Sequence, residues 1–205
     1  MNSGKTQRLT GLALFTAIIV VLQVIATFVR FGPFSITLSL IPIVAGAAIY
    51  GPKAGAYLGG VFGVVVLVAC ILGWDAGGAI LWNANPFLTA VICLAKGILA
   101  GFAAGGVFTL ISGKQLTTGR SLVGTVCAAV VSPVVNTGLF ILALYLLFPD
   151  ILAAWASDFG AEVTTYILTG LVGINFLVEL AVNVVLSPVV VQIIRARATM
   201  NPRRA

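Results

Sequence analysis

The stretch Leu9 to Val29, LTGLALFTAIIVVLQVIATFV, decides the fold. It holds no charge, and as an α-helix rising about 1.5 Å per residue it spans about 30 Å, the thickness of a bilayer's hydrocarbon layer. Lys5 and Arg8 precede it as basic residues precede a secretory signal. The run is too long for a signal's apolar region, however, and no convincing small-residue cleavage site ends it, so it is expected to be retained as a first membrane span. It stops at Arg30-Phe31-Gly32-Pro33, because proline lacks a backbone donor and disfavours helix in the residue before it.

The rest of the chain agrees with this stretch. Of 205 residues 60% are hydrophobic and 8% charged, so lipid must serve as the solvent. The apolar runs predict an all-α integral membrane protein: one domain over 1–205 with six transmembrane helices at about 9–29, 38–50, 56–72, 87–111, 122–148 and 163–194. The second run is short, about 20 Å as a helix. The residues before it, Arg30 to Ser39, alternate like a strand at Ser35-Ile36-Thr37-Leu38-Ser39 and must be shielded by protein, as the wall or lid of a cavity. Gly51-Pro52-Lys53-Ala54-Gly55 reads as a tight turn, and Gly59, Gly60 and Gly63 permit close helix approach. Between the third and fourth spans, Trp74, Asp75, Asn83 and Asn85 mark a polar and aromatic loop, and Pro149 to Glu162 reads as an acidic one. The last run is long enough to tilt, or to kink at Pro188.

Basic residues are retained in the cytoplasm, and they set the orientation. With the N-terminus inside, Lys5, Arg8, Lys53, Lys114, Arg120, Arg195, Arg197, Arg203 and Arg204 all fall inside, against Arg30 outside. Both termini are therefore expected in the cytoplasm, with the Trp/Asn loop and the acidic loop outside. The net charge of +6 does not signal nucleic acid, because the basic residues lie between apolar runs and not on an aromatic-interleaved face. Cys70, Cys93 and Cys127 stand singly in apolar stretches, with no CxxC spacing and no histidine in the chain, and read as small core residues. The chain shows no P-loop, no HExxH and no carboxylate cluster. It is expected to bind, not to catalyse, and to use no metal or cofactor.

Ionisable residues inside lipid are costly, so each is a candidate for function. Lys96, about ten residues into the fourth span, and Glu179, midway along the sixth, both fall near mid-bilayer. They read either as an ion pair fixing helix packing or as a site for a substrate carboxylate. Asn136, Asn175 and Asn183 add amides that suit helix-to-helix bonds or a neutral polar ligand; Asn136 stands three residues after Pro133 and can alternatively serve freed backbone groups. Trp74, Asn83 and Asn85 lie at the expected outer mouth, where tryptophan is also common as an interfacial anchor. With the short second helix they converge on one outward-facing pocket for a small polar metabolite. Ala13 and Ala17, spaced i and i+4, give the first span a face that another helix can approach.

Together, six expected helices, Ala13-xxx-Ala17, Ile36-Thr37-Leu38-Ser39-Leu40-Ile41-Pro42, Tyr50-Gly51-Pro52-Lys53-Ala54-Gly55, Asn85-Pro86 and Asn136-Thr137 resemble the substrate-binding S components of energy-coupling factor (ECF) vitamin transporters. The likeness spans essentially the whole chain and is greatest to the pantothenate branch. It implies a subunit of the prokaryotic plasma membrane that captures a water-soluble vitamin on the outer side and topples within the bilayer to deliver it. It also implies docking through Ala13 and Ala17 to a membrane coupling subunit driven by two cytoplasmic ATPases. On the same resemblance Trp74, Asn85 and Asn136 would hold pantothenate; the reading of the residues themselves adds Asn83, Lys96 and Asn175 to the candidate substrate-binding set. Lys96 stands where an arginine is expected, which removes a bidentate fork. Folate or riboflavin are the alternative ligands, and a membrane scaffold or assembly protein without a ligand is the alternative class.

Overall fold

A computed structural model describes residues 3–28, 30–31, 34–35, 37–113 and 118–200, with backbone alone at 3, 30–31, 34–35, 118, 172–175 and 194–200. In chain order it contains α1 (Ser3–Thr27), a two-residue ladder of β1 (Arg30–Phe31) and β2 (Phe34–Ser35), α2 (Leu40–Tyr50), α3 (Pro52–Ile71), α4 (Ala76–Ala84), α5 (Pro86–Ser112), α6 (Thr118–Leu147), α7 (Pro149–Asp158), α8 (Val163–Tyr166), a π-helical segment (Ile167–Phe176) and α9 (Leu177–Met200). The ladder is antiparallel, Arg30 opposite Ser35 and Phe31 opposite Phe34.

Among the described residues four helical stretches are long and apolar enough to cross a membrane, Gly4–Thr27, Pro52–Ile71, Pro86–Ser112 and Gly119–Leu147. Where the sequence reads a second and a sixth span, the structure has elements of another kind. The second is α2, only 11 residues long. It lies inside the bundle against α1, α3, α5, α6 and α9, which bury Leu40, Ile43, Val44 and Ala47. Pro42 is tolerated because the first helical turn has no intrahelical partner for its N–H groups. The sixth is divided among α8, the π-helical segment and α9, and Pro188 lies within helical α9.

Three expected loops are corrected. Gly51-Pro52-Lys53-Ala54-Gly55 is not a five-residue turn: Gly51 alone, at φ +91°, closes α2, and Pro52 already opens α3. A left-handed glycine followed by a proline with preset φ ends one helix and starts the next. The Trp/Asn stretch winds into α4, whose first turn is capped by Asp75 Oδ1 accepting from the Gly78 N–H at 2.6 Å. The acidic stretch contains α7, with Pro149 and Asp150 in its first turn, where proline and negative charge are both favoured. Leu152 and Ala156, one turn apart, bury its inner face.

Glycine joins α3 to α5. A Cβ on Gly55 would strike the Gly101 carbonyl, one on Gly59 the Gly97 carbonyl, and one on Gly63 the Cys93 carbonyl, so the helices run antiparallel at near backbone contact. Large apolar side chains, among them Leu14, Phe87, Phe102, Leu110, Tyr145 and Val185, stand exposed around the bundle. They make the outer surface one that suits lipid.

Candidate functional site

The tight α3–α5 pair forms one wall of a cavity of about 80 Å³, several times the roughly 10–15 Å³ that one water requires. Phe62, Val66 and Cys70 of α3 face it at four-residue spacing. Thr89, Ile92, Cys93 and Lys96 of α5 continue the wall, and Asn136, Thr137 and Phe140 of α6 stand among the other lining residues. Asp75, Gly78 and Leu81 border the cavity on the side of α4, and Gln23 reaches it from α1. Leu171 and Phe176 of the π-helical segment, Glu179 of α9 and Thr37, before α2, complete it. A π-helical stretch widens the helix locally and is frequent at functional sites, which agrees with its place here.

Eight of the eighteen lining residues are polar or charged, and several of them are specifically held. The Lys96 ammonium sits 4.7 Å from the centroid of the Phe140 ring, in cation–π contact. Glu179 is 5% exposed; its Oε1 accepts the Thr37 backbone N–H at 2.8 Å, while Oε2 has no hydrogen-bond partner among the described residues. Asn136 Oδ1 is likewise buried and unpartnered. Ser39 Oγ lies 2.9 Å from Gln23 Oε1 and ties the segment before α2 to α1. Thr37 therefore joins that segment to α9, and Ser39 joins it to α1, both beside the cavity. Cys70 of α3 and Cys93 of α5 both line the cavity as free thiols. Among the described residues no group of histidine, cysteine, aspartate or glutamate forms a metal-binding cluster.

The structure brings together three of the residues expected from the sequence: Lys96, Asn136 and Glu179 line one cavity. Among the described residues Lys96 and Glu179 form no contact ion pair: Glu179 Oε2 has no hydrogen-bond partner there, and the ammonium lies over Phe140. Trp74, Asn83 and Asn85 are outside the lining. Trp74 packs on Phe28 with ring centroids 5.8 Å apart, and Asn83 is exposed on α4. Asn85 caps α5, its Oδ1 accepting the Leu88 N–H at 3.1 Å. The physical reason is α4 itself, which buries Gly77, Gly78 and Leu81 and leaves Asn83 on its outer side. Asn175 falls in the π-helical segment, and its side chain lies outside the described residues, as does most of the expected lid from Arg30 to Ser39. Ala13 and Ala17 are exposed on α1, in line with Leu14, Ile18 and Val21.

The family model for the ECF transporter substrate-specific component matches residues 7–191. The chain belongs to that family. It is also 25% identical over 194 residues to the pantothenic acid transporter PanT of Lactococcus lactis subsp. cremoris (strain MG1363), an alignment covering 93% of this chain and 95% of that protein.

Several polar groups of the cavity escape a reading of the sequence. Gln23, Thr37, Thr89 and Thr137 are neutral polar residues of the kind that also bond helix to helix. For Thr89 the signal is spacing: Thr89, Ile92, Cys93 and Lys96 follow the i, i+3, i+4, i+7 pattern of one helix face, the face that carries Lys96.

Proposed function

We propose that this chain is the substrate-binding membrane subunit of an ECF-type importer and that it captures pantothenate from the extracellular side. The observation that carries this is the cavity's polar inventory: one ammonium, Lys96, with two acceptors that have no hydrogen-bond partner among the described residues, Asn136 Oδ1 and Glu179 Oε2, beside the Asp75 carboxylate and the neutral polar groups of Gln23, Thr37, Thr89 and Thr137. Such a site selects a ligand with a carboxylate at one end and hydroxyl or amide donors along its length. Pantothenate has that layout. Its carboxylate pairs with Lys96, and its hydroxyls and amide N–H donate to the acceptors. Folate carries more carboxylates than one ammonium balances, and riboflavin offers none. The similarity to a pantothenic acid transporter points the same way.

In this reading α2 and the composite last rod complete six transmembrane passages in the prokaryotic plasma membrane. The basic α2–α3 turn and both termini face the cytoplasm. Ala13 and Ala17 meet the membrane coupling subunit, and two cytoplasmic ATPase subunits supply the energy. The ligand set comprises Lys96, Asn136, Glu179, Thr37 and Gln23; Trp74, Asn83 and Asn85 stand outside it.

A thermal-shift series on the purified protein with pantothenate, folate, riboflavin, thiamine and biotin tests this. Pantothenate is expected to raise the melting temperature saturably, by linkage between binding and folding. Stabilisation by another vitamin reassigns the ligand, and stabilisation by none ends the proposal and favours a scaffold.

A further inference from the structure

Four buried side-chain oxygens have no hydrogen-bond partner among the described residues: Ser132 Oγ, Asn136 Oδ1, Glu179 Oε2 and Asn183 Oδ1. Their side chains are 0%, 4%, 5% and 2% exposed. Unpaired buried acceptors are unfavourable and uncommon, so four in one bundle require an explanation. A vitamin in the cavity accounts for at most part of it, because Asn136 and Glu179 line the cavity while Ser132 and Asn183 do not.

The four are placed together. Ser132 and Asn136 are four residues apart on α6, and Glu179 and Asn183 four apart on α9, so each pair is stacked on one helix face. The two helices pack against each other. Asn136 and Glu179 share the cavity wall, and Ala128 and Val190 share an apolar cluster farther along the same helices. Between those points the numbering falls on α6 and rises on α9. The helices are therefore antiparallel there, and Ser132 and Asn183 fall between the cavity and the cluster.

The chemistry of the set is uniform. Every unpartnered atom is a hard oxygen acceptor, and one belongs to a carboxylate that Lys96 does not contact. The neighbouring atoms are already held: Glu179 Oε1 by the Thr37 N–H, and Asn183 Nδ2 by donation to the Glu179 carbonyl at 2.7 Å. Such second bonds fix the direction in which the free oxygens point. One carboxylate with two amide carbonyls and a hydroxyl balances a single positive charge. A divalent ion of the calcium class takes six to eight oxygens, and soft metals prefer sulfur.

We infer that Ser132, Asn136, Glu179 and Asn183 form a binding site for a small monovalent cation, sodium, between α6 and α9 at the wall of the cavity. Amide and carboxylate oxygens carry two lone pairs each, so Asn136 Oδ1 and Glu179 Oε2 can coordinate the ion and still accept from a ligand in the cavity; the site neutralises Glu179 inside the bundle and adds a cross-link between α6 and α9.

The test uses purified, vitamin-free protein, so that its outcome is separate from the choice of ligand. Melting temperature is measured across a sodium chloride titration, with N-methyl-D-glucamine chloride holding ionic strength constant. Sodium is expected to stabilise saturably. Ser132→Ala and Asn183→Ala, which lie outside the cavity lining, are expected to move the sodium midpoint roughly tenfold higher, the lower end of the effect seen when groups around a metal site are removed. Glu179→Gln is expected to abolish the response and to melt, without sodium, above the sodium-free wild type. Equal melting in the two salts overturns the site, as does a sodium midpoint unchanged in both alanine variants. Stabilisation of the sodium-free protein by acid, with none by sodium, also overturns it, since the carboxyl then sheds its charge by protonation.

Discussion

Lys96 shows what one residue fixes in this molecule. A charge in an apolar run is conspicuous because lipid makes it expensive, and for that reason Lys96 and Glu179 were legible from the sequence as residues of the interior. The structure changes their relation. The ammonium rests on Phe140 at 4.7 Å, leaving it free to meet an incoming anion while the aromatic face offsets part of its desolvation. Replacing Lys96 by methionine keeps the length of the side chain and removes the charge. Hydrogen bonds to charged groups contribute about 1.5–3 kcal/mol, so Lys96→Met is expected to weaken pantothenate binding by roughly 10- to 100-fold, measured by isothermal titration. Lys96→Arg should retain most of it. An unchanged affinity in Lys96→Met would remove Lys96 from the ligand set. Asn85 illustrates the opposite failure of legibility. An amide beside an expected outer mouth looks like a ligand group, yet Asn85 precedes Pro86 at a helix start, and its side chain is occupied by the Leu88 N–H. The cap was readable in Asn-Pro; that Asn85 stands outside the cavity lining was not.

At the scale of elements, the α3–α5 pair holds the cavity wall in register, and glycine sets its spacing. Gly59, Gly60 and Gly63 look alike in the sequence, but the structure separates them. Gly59 and Gly63 oppose carbonyls of α5, whereas a Cβ on Gly60 would meet only the Ile98 side chain, at 3.4 Å. The matching glycines of α5, Gly97 and Gly101, recur every four residues, but only the pairing of the helices shows that the two series face each other. A side chain at Gly59 or Gly97 must push backbone from backbone and cannot be absorbed by a rotamer change. Overpacking of this kind costs about 1–3 kcal/mol and more where only backbone can yield. Gly59→Val and Gly97→Val are therefore expected to lower the detergent-solubilised melting temperature sharply. Gly106→Ala, with open space around its Cβ, should be neutral or gain up to about 1 kcal/mol from helix propensity. Equal melting of Gly59→Val and Gly106→Ala would show that the glycine seam does not set the α3–α5 distance. Short elements were harder to foresee than long ones. α4 and α7 have 9 and 10 residues, and their polar and acidic content hides helices in what reads as loop.

Across the whole molecule, burial is unevenly distributed, and that asymmetry bears on where a substrate-specific component can meet a partner. In the apolar window of α1 17% of residues are buried, against 44% for α3. Hydropathy could not reveal this difference, because a lipid-facing span and a buried one are both apolar. α1 contributes one face to the bundle, through Ile19, Gln23 and Ala26, and turns Leu9, Ala13, Leu14, Ala17, Ile18 and Val21 outward. A free outer face with small residues at Ala13 and Ala17 lets a partner helix approach closely, where dispersion contacts and not the hydrophobic effect drive association within lipid. Because these two side chains are exposed, enlarging them should leave the cavity intact. The double variant Ala13→Leu, Ala17→Leu is expected to bind pantothenate with wild-type affinity in detergent and to lose uptake when co-expressed with the coupling subunit and ATPases. Affinity measured by titration and uptake of labelled vitamin into cells separate the two effects. Loss of affinity together with uptake would place this face in the fold of the subunit, and full uptake would move the docking surface to another part of the molecule.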